Sequence, residues 1–413
     1  MPDREEGERM DLRRLLAAVE EVPPVEAVDV LGAELAKMVG ASQVSLLIAN
    51  FSGNAVVRLS HVTAADLLRD GHNERVESLS LTDSVYQRVM HAQRIEAIQE
   101  GDAWRVLVPV TERGDAIGIL ELFLDGQPGT ETLDYLVSSA HALAYVLIAS
   151  RRHTDLFEWA QRDTPFSVAA EIQRRLLPSA YTAEGGYFTI AGWLEPAHNA
   201  GGDTFDYSVD REYLYASITD AMGHATEAAM LATFTVGTLR NTRRALAAPS
   251  EQADAANAGL MGYARSDQFV TGLLIRIRLA DGEAELVNAG HPQPYLMRGG
   301  GVTDLDLSTG PPFGVLATPY TAQRLTLRPG DRLLLVTDGY LDRSASRVDI
   351  EGVLLASADR HPRQVVQELA HNVLAATGGN LRDDATVVCI DWYGPGGTRD
   401  ATGGASTVRA TAS

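Results

Sequence analysis

Apolar and polar residues follow two different patterns along the chain, and the pattern changes near residue 180. In the first part, apolar residues at spacings of three and four predict helices, and short alternating runs predict strands. The predicted helices are 12–22, 25–38, 85–90 and a long one from 131, and the predicted strands are 44–50, 55–59, 104–110 and 116–124. From 187 onward the predicted strands are 187–193, 213–219, 269–279, 283–288, 324–327, 332–337 and 386–390, with helices at 225–244, 251–264 and 362–376.

These elements predict an α+β chain with two domains. The predicted parts are a tail with a leading helix (1–23), a first domain (24–150), a helical linker (151–180), a second domain (181–393) and a Gly- and Ser-rich tail expected to be disordered (394–413). Strands that bracket helices in the second domain favour a sandwich with its helices outside the sheets.

Charge and lysine content exclude several function classes. The chain has 413 residues, with 55 acidic and 35 basic ones and a formal net charge of −20, so we expect it to bind neither nucleic acid nor an anionic membrane. Lys37 is the only lysine and lies in a predicted amphipathic helix. Because a P-loop and a protein kinase both place a lysine on the nucleotide phosphates, neither site can be built here.

Cysteine usage and the N-terminal residues predict a cytoplasmic protein. Cys389 is the only cysteine, so a disulfide framework and a multi-cysteine zinc site are excluded. The first residues are acidic and lack an apolar core, so no signal peptide is expected there. The most apolar stretch, 135–149, is too short and too polar to be expected to span a bilayer.

Four aspartates lie at the ends of predicted strands, next to turn residues. Asp203 follows Gly201-Gly202, Asp220 and Asp338 end strands, and Asp383 precedes one. Carboxylates gathered in this way suit Mg²⁺ or Mn²⁺, hard ions that take oxygen ligands and keep several waters. Two such ions ~3.5–4 Å apart can bridge a water, lower its pKa and clamp a phosphoryl group. Phosphoryl transfer needs no protein nucleophile, and the chain has no Gly-x-Ser-x-Gly motif.

Six short motifs of the second domain occur in the order seen in PP2C-like (PPM) phosphatases of the bacterial stress-response and sporulation type, which this part of the chain resembles. They are Gly201-Gly-Asp-x-x-Asp206, Thr219-Asp-x-x-Gly-His224, Asn288-Ala-Gly-His-Pro292, Gly310-Pro-Pro-Phe-Gly314, Thr337-Asp-Gly339 and Asp383-Asp-x-Thr386. The phrase Ile172-Gln-Arg-Arg-Leu-Leu-Pro178 is similar to the segment that leads into such domains. The resemblance covers about residues 167–392.

This resemblance implies a fold, a reaction and a partner. The fold would be a PPM-type α/β/β/α sandwich. Asp203, Asp220, Asp338 and Asp383 would be catalytic metal ligands for two Mn²⁺ or Mg²⁺ ions, with Ala221 offering its backbone carbonyl and Asp220 as the bridging ligand. The reaction would be hydrolysis of phosphoserine or phosphothreonine. The substrate would be a STAS-type anti-sigma-factor antagonist, whose dephosphorylation releases a sigma factor.

The first domain resembles a GAF domain, a small sensory fold with an antiparallel sheet between helices. The most similar part is Val106-Leu-Val-Pro-Val110 followed by Gly118-Ile-Leu-Glu-Leu122. Such a domain would gate the phosphatase, with or without a small-molecule ligand, and the absence of a cysteine there excludes a thioether-linked bilin. A stripe on the long helix predicts either a face packed on the sheet or a homodimer seam leading into the linker: Leu133, Leu136, Ala140, Leu143 and Leu147.

Several polar residues near the motifs have structural alternatives. Asp206 is interpreted as a cap of the Gly-Gly turn, and Asp384 as a local ion-pair partner instead of a metal ligand. Asn288 and His291 are interpreted as a structural turn. His224 is a candidate general acid. In eukaryotic relatives, however, that histidine is two residues after the aspartate, where Met222 stands, so water is the alternative proton donor.

Two further functions compete with the phosphatase, and the resemblance leaves two questions open. A phosphatase fold that binds a phosphoprotein without turnover is the first alternative, and the intact aspartates argue against it. An anti-sigma-type kinase is the second, but its Asp-x-Gly-x-Gly box is broken by Met222.

The phosphate-binding arginine of eukaryotic relatives has no counterpart in the stretch 195–200. The helix 225–244 directly follows Asp220 and is a candidate switch element.

Overall fold

The computed structural model divides the chain into two compact units, 1–165 and 166–399. The residues that the structure describes are 12–51, 53–63, 77–162, 167–197, 201–223, 225–265, 267–341, 345 and 348–396. Residues 1–11, 64–76 and His224 lie outside the described residues, as does the predicted tail 394–413 from residue 397 onward.

The N-terminal unit is an antiparallel sheet of six strands in the order β3-β2-β1-β6-β5-β4. Its strands are β1 Ala41–Ala49, β2 Ala55–Thr63, β3 Glu77–Ser80, β4 Glu96–Glu100, β5 Ala103–Glu112 and β6 Asp115–Leu124. Its helices are α1 Leu12–Glu20, α2 Ala27–Val39, α3 Val85–Ala92, α4 Thr130–Ser150 and α5 Leu156–Ala160. The core on one face joins α1, α2, α4 and α5 to the sheet, and a smaller core on the other face joins α3 to it.

Helix α4 is a core helix of this unit. Leu136, Ala140, Leu143 and Leu147 of the predicted stripe are buried in the core. The stripe therefore packs within the unit, and the homodimer seam predicted from it is not available as a free surface. With 21 residues and a mean hydropathy of 1.3, α4 is longer than the predicted stretch 135–149. Among the described residues, α4 is the only helix that is long and apolar enough to cross a membrane, judged by length and hydropathy alone. Of its most apolar 18-residue segment, 44% is buried inside the protein.

The C-terminal unit contains two sheets of six strands each. Their orders are β15-β12-β11-β10-β9, with β16 on β12, and β14-β13-β17-β18-β8-β7. The strands are β7 Thr182–Glu184, β8 Phe188–Glu195, β9 Asp203–Val209, β10 Tyr213–Ala221, β11 Val270–Arg278, β12 Glu283–Ala289, β13 Tyr295–Arg298, β14 Gly301–Asp304, β15 Thr309–Gly310, β16 Gln323–Thr326, β17 Arg332–Val336 and β18 Ala385–Trp392. The helices are α6 Val168–Leu176, α7 Ala225–Arg244, α8 Pro249–Tyr263, α9 Ile350–Ala356 and α10 Pro362–Thr377, with a 3-10 turn at Asp338–Tyr340.

The two sheets stack face to face and carry helices on their outer faces. Side chains of both sheets, among them Phe205 and Ile390, share one central core. A second core lies between the first sheet and α8, and a third between the other sheet and α10. The unit is therefore a mixed α+β sandwich with four layers, as the order of strands and helices predicts.

The predicted helical linker 151–180 is divided between the two units. Phe157 of α5 is fully buried in the N-terminal core, and the Gln161 side chain donates a hydrogen bond of 2.6 Å to the carbonyl of Ala49. Helix α6 packs instead within the C-terminal unit, where it lies against α7 and β9. The two helices of this range thus end one unit and begin the other.

Candidate active site and metal centre

Asp203 and Asp220 lie opposite each other on neighbouring strands. They are Cα partners in the antiparallel pairing of β9 with β10, and Asp203 is buried with 2% exposure. The sequence pattern predicts a turn before Asp203 but no strand there, whereas the structure shows β9, Asp203–Val209. The signal that could have revealed the strand is the alternation of Phe205, Tyr207 and Val209 with polar residues.

Two threonine hydroxyls bind one oxygen of the Asp203 carboxylate. Thr337 Oγ1 and Thr386 Oγ1 each donate to Asp203 Oδ2 at 2.7 Å. Thr337 follows β17 and Thr386 lies at the start of β18, which pairs with β17. Because Asp338 comes directly after Thr337, and Asp383 three residues before Thr386, these bonds bring the ends of the second sheet to the first. The structure thus collects the four predicted aspartates at one end of the sandwich.

Close backbone approaches at two glycines shape this end. A Cβ on Gly339 would lie 2.0 Å from the carbonyl oxygen of Asp384, so only glycine fits beside it. A Cβ on Gly202 would lie 2.5 Å from the carbonyl oxygen of Ala221, whose N–H donates to Gly202 at 3.2 Å. The predicted carbonyl ligand, Ala221, is therefore held against the glycine turn that precedes Asp203.

The carboxylates perturb one another. Burial, followed by the negative charges of Asp338, Asp383 and Asp384, raises the pKa of Asp220 to about 7. Burial also raises the pKa of Asp203 well above its usual value, with Asp220 and Asp384 as the next causes. Asp338 and Asp383 themselves are exposed. The centre therefore combines buried carboxylates with exposed ones, and their repulsion favours binding of cations.

The donor set fits ions that keep much of their water shell. In the part of the chain that the structure describes, no group of three or more His, Cys, Asp or Glu side chains has the geometry to hold one metal ion. Mg²⁺ is commonly held by one or two carboxylates with waters completing the octahedron, and Mn²⁺ accepts the same oxygen ligands. The carboxylates of Asp203 and Asp220, opposed across neighbouring strands, match that pattern.

Asp384 holds the backbone around the site. Its carboxylate accepts the N–H groups of Ala197 at 2.9 Å and Gly201 at 3.2 Å, and the Gln173 side chain amide at 2.6 Å. The predicted ion pair is replaced by these three N–H donors, and the residue is 2% exposed. Asp384 thus fixes the turn that leads to Asp203.

Asp206 does not cap the Gly-Gly turn, which corrects the prediction. Its carboxylate accepts from Arg240 at 3.0 Å and from Arg243 at 2.9 Å, both on α7. Arg240 also donates to the carbonyl of Leu176 at 2.6 Å. Asp206 thus links β9 to α7 and, through Arg240, to the end of α6, and the N–H of Gly201 in the turn donates to Asp384 instead.

Asn288 and His291 form the predicted structural turn. The Asn288 side chain accepts from the N–H of His291 at 2.8 Å and donates to its carbonyl at 2.9 Å. Thr271 Oγ1 lies 2.9 Å from His291 Nδ1, and burial lowers the pKa of this imidazole to about 3. His291 is therefore neutral near pH 7, and neither residue is among the groups that perturb the aspartates.

Comparisons with known proteins relate this chain to a phosphatase of known activity, and a family model matches within the C-terminal unit. A sequence model of the family described as stage II sporulation protein E (SpoIIE) matches residues 210–393. The phosphoserine phosphatase RsbP of Bacillus subtilis (strain 168) is 25% identical over 215 residues, which are 49% of this chain and 52% of RsbP. The chain thus covers about half the length of this relative.

Two solved structures are similar at lower identity. The RsbU and RsbW domains of Rv1364c from Mycobacterium tuberculosis are 24% identical, with a TM-score of 0.47 over 53% of this chain and 62% of that one. The catalytic domain of the serine/threonine protein phosphatase PstP, solved with two manganese ions, is 19% identical, with a TM-score of 0.38 over 49% of this chain and 97% of that one.

Proposed function

Because its C-terminal unit carries a PP2C-like phosphatase domain of the SpoIIE type, related to RsbP, we propose that this chain is a metal-dependent protein serine/threonine phosphatase. The observation that carries the proposal is the opposition of Asp203 and Asp220, with Asp338 and Asp383 close enough to act on the pKa of Asp220. Such a cluster of like charges is unfavourable without cations and becomes favourable with them.

The proposed metal ligands are Asp203, Asp220, Asp338 and Asp383, with the carbonyl of Ala221. Two bound Mn²⁺ or Mg²⁺ ions would supply Lewis-acid activation of water and neutralise phosphoryl charge. The chain's own residues orient the ligands: the Thr337 and Thr386 hydroxyls fix one oxygen of Asp203, and Gly339 lets the backbone after Asp338 pack against Asp384. The exposed Asp338 and Asp383 leave the site open to a phosphorylated side chain of a protein.

The proposed substrate is a phosphoserine or phosphothreonine of a regulatory protein. RsbP is by name a phosphoserine phosphatase, which supports this choice of side chain. The resemblance of the motifs to regulatory PP2C-like phosphatases points further to a STAS-type anti-sigma-factor antagonist. Such a partner would be met in the cytoplasm, which the single buried Cys389 suits.

The N-terminal unit is proposed to be a GAF-like sensor that gates this activity. Its antiparallel sheet has helices on both faces, as that fold requires. The face that α3 covers also carries a buried polar group, where Glu121 accepts from Arg58 at 2.7 Å and from Arg105 at 2.6 Å.

Hydrolysis of an aryl phosphate by the full chain, with and without Mn²⁺, tests the proposal. We expect activity that needs the metal and falls at least about 100-fold in Asp220→Asn and Asp338→Asn, because each removes a charged ligand. Asp304→Asn, an exposed carboxylate on β14, is the matched control and should keep full activity. Activity that persists in EDTA or in both variants would contradict the metal-dependent mechanism.

Phosphorylated STAS proteins test the substrate separately. Release of phosphate from them with Mn²⁺ would support the partner, whereas stable binding without release would favour the phosphatase-fold scaffold.

A further inference from the structure

Gln173 connects α6 to the carboxylate centre. Its side chain Nε2 donates to the backbone carbonyl of Asp203 at 2.9 Å and to Asp384 Oδ2 at 2.6 Å. An amide group has two N–H donors, and here both are used inside the protein. The residue is 2% exposed, so water cannot replace either bond without rearrangement.

The two acceptors of Gln173, the Asp203 carbonyl and the Asp384 carboxylate, help to fix the position of Asp203. The Asp203 side chain is held by hydroxyls from the second sheet, and its carbonyl by Gln173. Asp384 fixes Gly201, two residues before Asp203, and shares the same amide of Gln173. Loss of the amide would leave a buried carboxylate with one donor fewer and free the turn to move, and Asp203 would move with it.

Helix α6 contacts the same turn and the helix that follows the site. A Cβ on Gly201 would lie 3.4 Å from the Ala169 side chain and 2.7 Å from the carbonyl of Ala225, the first residue of α7. The end of α6 is bound to α7 because Arg240 donates to the Leu176 carbonyl. A shift of α6 therefore acts directly on the backbone around Asp203. In chain order, α6 is the first element of the C-terminal unit.

We propose that Gln173 is a positioning residue that sets the affinity of the carboxylate centre for its metal ions. The inference rests on the proposed function and adds to it a residue outside the ligand set. Some residues hydrogen-bond to metal ligands without binding the metal themselves. Their replacement typically lowers metal affinity or activity by about 10–100-fold.

The test compares Gln173→Leu and Gln173→Glu with wild type in the full chain. Leucine removes both hydrogen bonds at similar volume, and glutamate places a carboxylate against Asp384. The control is Gln252→Leu in α8, another buried glutamine of this unit, whose amide donates to the Ala247 carbonyl at 2.9 Å. Mn²⁺ binding is measured by titration calorimetry, thermal unfolding is measured without metal, and kcat and KM are measured on an aryl phosphate.

We expect both Gln173 variants to bind Mn²⁺ about 10–100-fold more weakly, with kcat restored in part by excess Mn²⁺. The control should lose thermal stability without a change in Mn²⁺ affinity. If Gln173 has a purely structural role, its variants should behave like the control. That result would overturn this inference and leave the proposed function intact. If wild type itself binds no Mn²⁺ and hydrolyses nothing, the proposed function fails, and this inference fails with it.

Discussion

Asp203 and Asp220 are direct cross-strand neighbours, so two carboxylates are opposed where β9 pairs with β10. Like charges placed opposite each other destabilise an antiparallel pair. The pairing is the same one that gathers the candidate ligands, so stability and cation binding are linked at this position.

Replacement of Asp220 should therefore stabilise the metal-free protein. We expect Asp220→Asn to raise the free energy of unfolding by about 1 kcal/mol in EDTA, because it removes the repulsion with Asp203. Mn²⁺ should raise the melting temperature of wild type by several degrees and leave the variant nearly unchanged. Calorimetric melts with EDTA and with Mn²⁺ measure both effects, and equal metal stabilisation of the two proteins would contradict the assignment of Asp220.

Gly339→Ala should damage the site through a steric contact. The added Cβ would lie 2.0 Å from the Asp384 carbonyl oxygen, which we expect to cost about 1–3 kcal/mol of stability. The shift of Asp338 should lower kcat at least about tenfold. Gly237→Ala in α7 meets no atom within 4 Å and should be neutral or stabilising by up to about 1 kcal/mol. Similar losses in both variants would show that the close approach is not the cause.

Ala225 begins α7 in a left-handed backbone conformation, with φ of +56°. Such a conformation costs an L-residue about 1–2 kcal/mol, and glycine adopts it without that cost. Ala225→Gly should therefore stabilise the protein by about 0.5–1 kcal/mol in urea unfolding. Ala228→Gly, at a buried position of the same helix, should destabilise it by about 1 kcal/mol or more. A loss of stability in both would contradict the strain at residue 225.

Acid should destabilise the C-terminal unit through His291. Burial lowers the pKa of this histidine from 6.5 to about 3, so the unfolded chain takes up its proton first as the pH falls. The contribution of His291 to the free energy of unfolding is therefore fully present above pH 6.5 and is lost between pH 6.5 and about 3, by about 1.4 kcal/mol per pH unit. Urea unfolding across this range should show a smaller slope for His291→Gln. His371→Gln, an exposed position on α10, should keep the wild-type slope.

The motifs predict where the four candidate aspartates lie because these residues flank strands. Strand 332–337 followed by Asp338 appears in the structure as β17 and a 3-10 turn, and Asp383 precedes β18 as expected. The fold of the C-terminal unit follows from the same alternation of strands and helices.

Contacts between distant residues could not be predicted from local patterns. The role of Asp206 depends on arginines 34 and 37 residues away, and that of Gln173 on Asp384, 211 residues away. The apolar stripe on α4 looks the same in the sequence whether it packs on the sheet or forms a dimer seam. The burial of Leu143 and Leu147 in the core of the unit distinguishes the two.

The two threonine hydroxyls on Asp203 have a consequence for the choice of ion. Because Thr337 and Thr386 both occupy Oδ2, Oδ1 is the oxygen that can face a cation. A carboxylate restricted in this way binds through a single oxygen. That arrangement suits a small octahedral ion and disfavours Ca²⁺, a larger ion that gains from two-oxygen chelation and higher coordination numbers. If Asp203 is a metal ligand as proposed, Thr337 and Thr386 would therefore favour Mg²⁺ or Mn²⁺ over Ca²⁺ without binding the metal themselves.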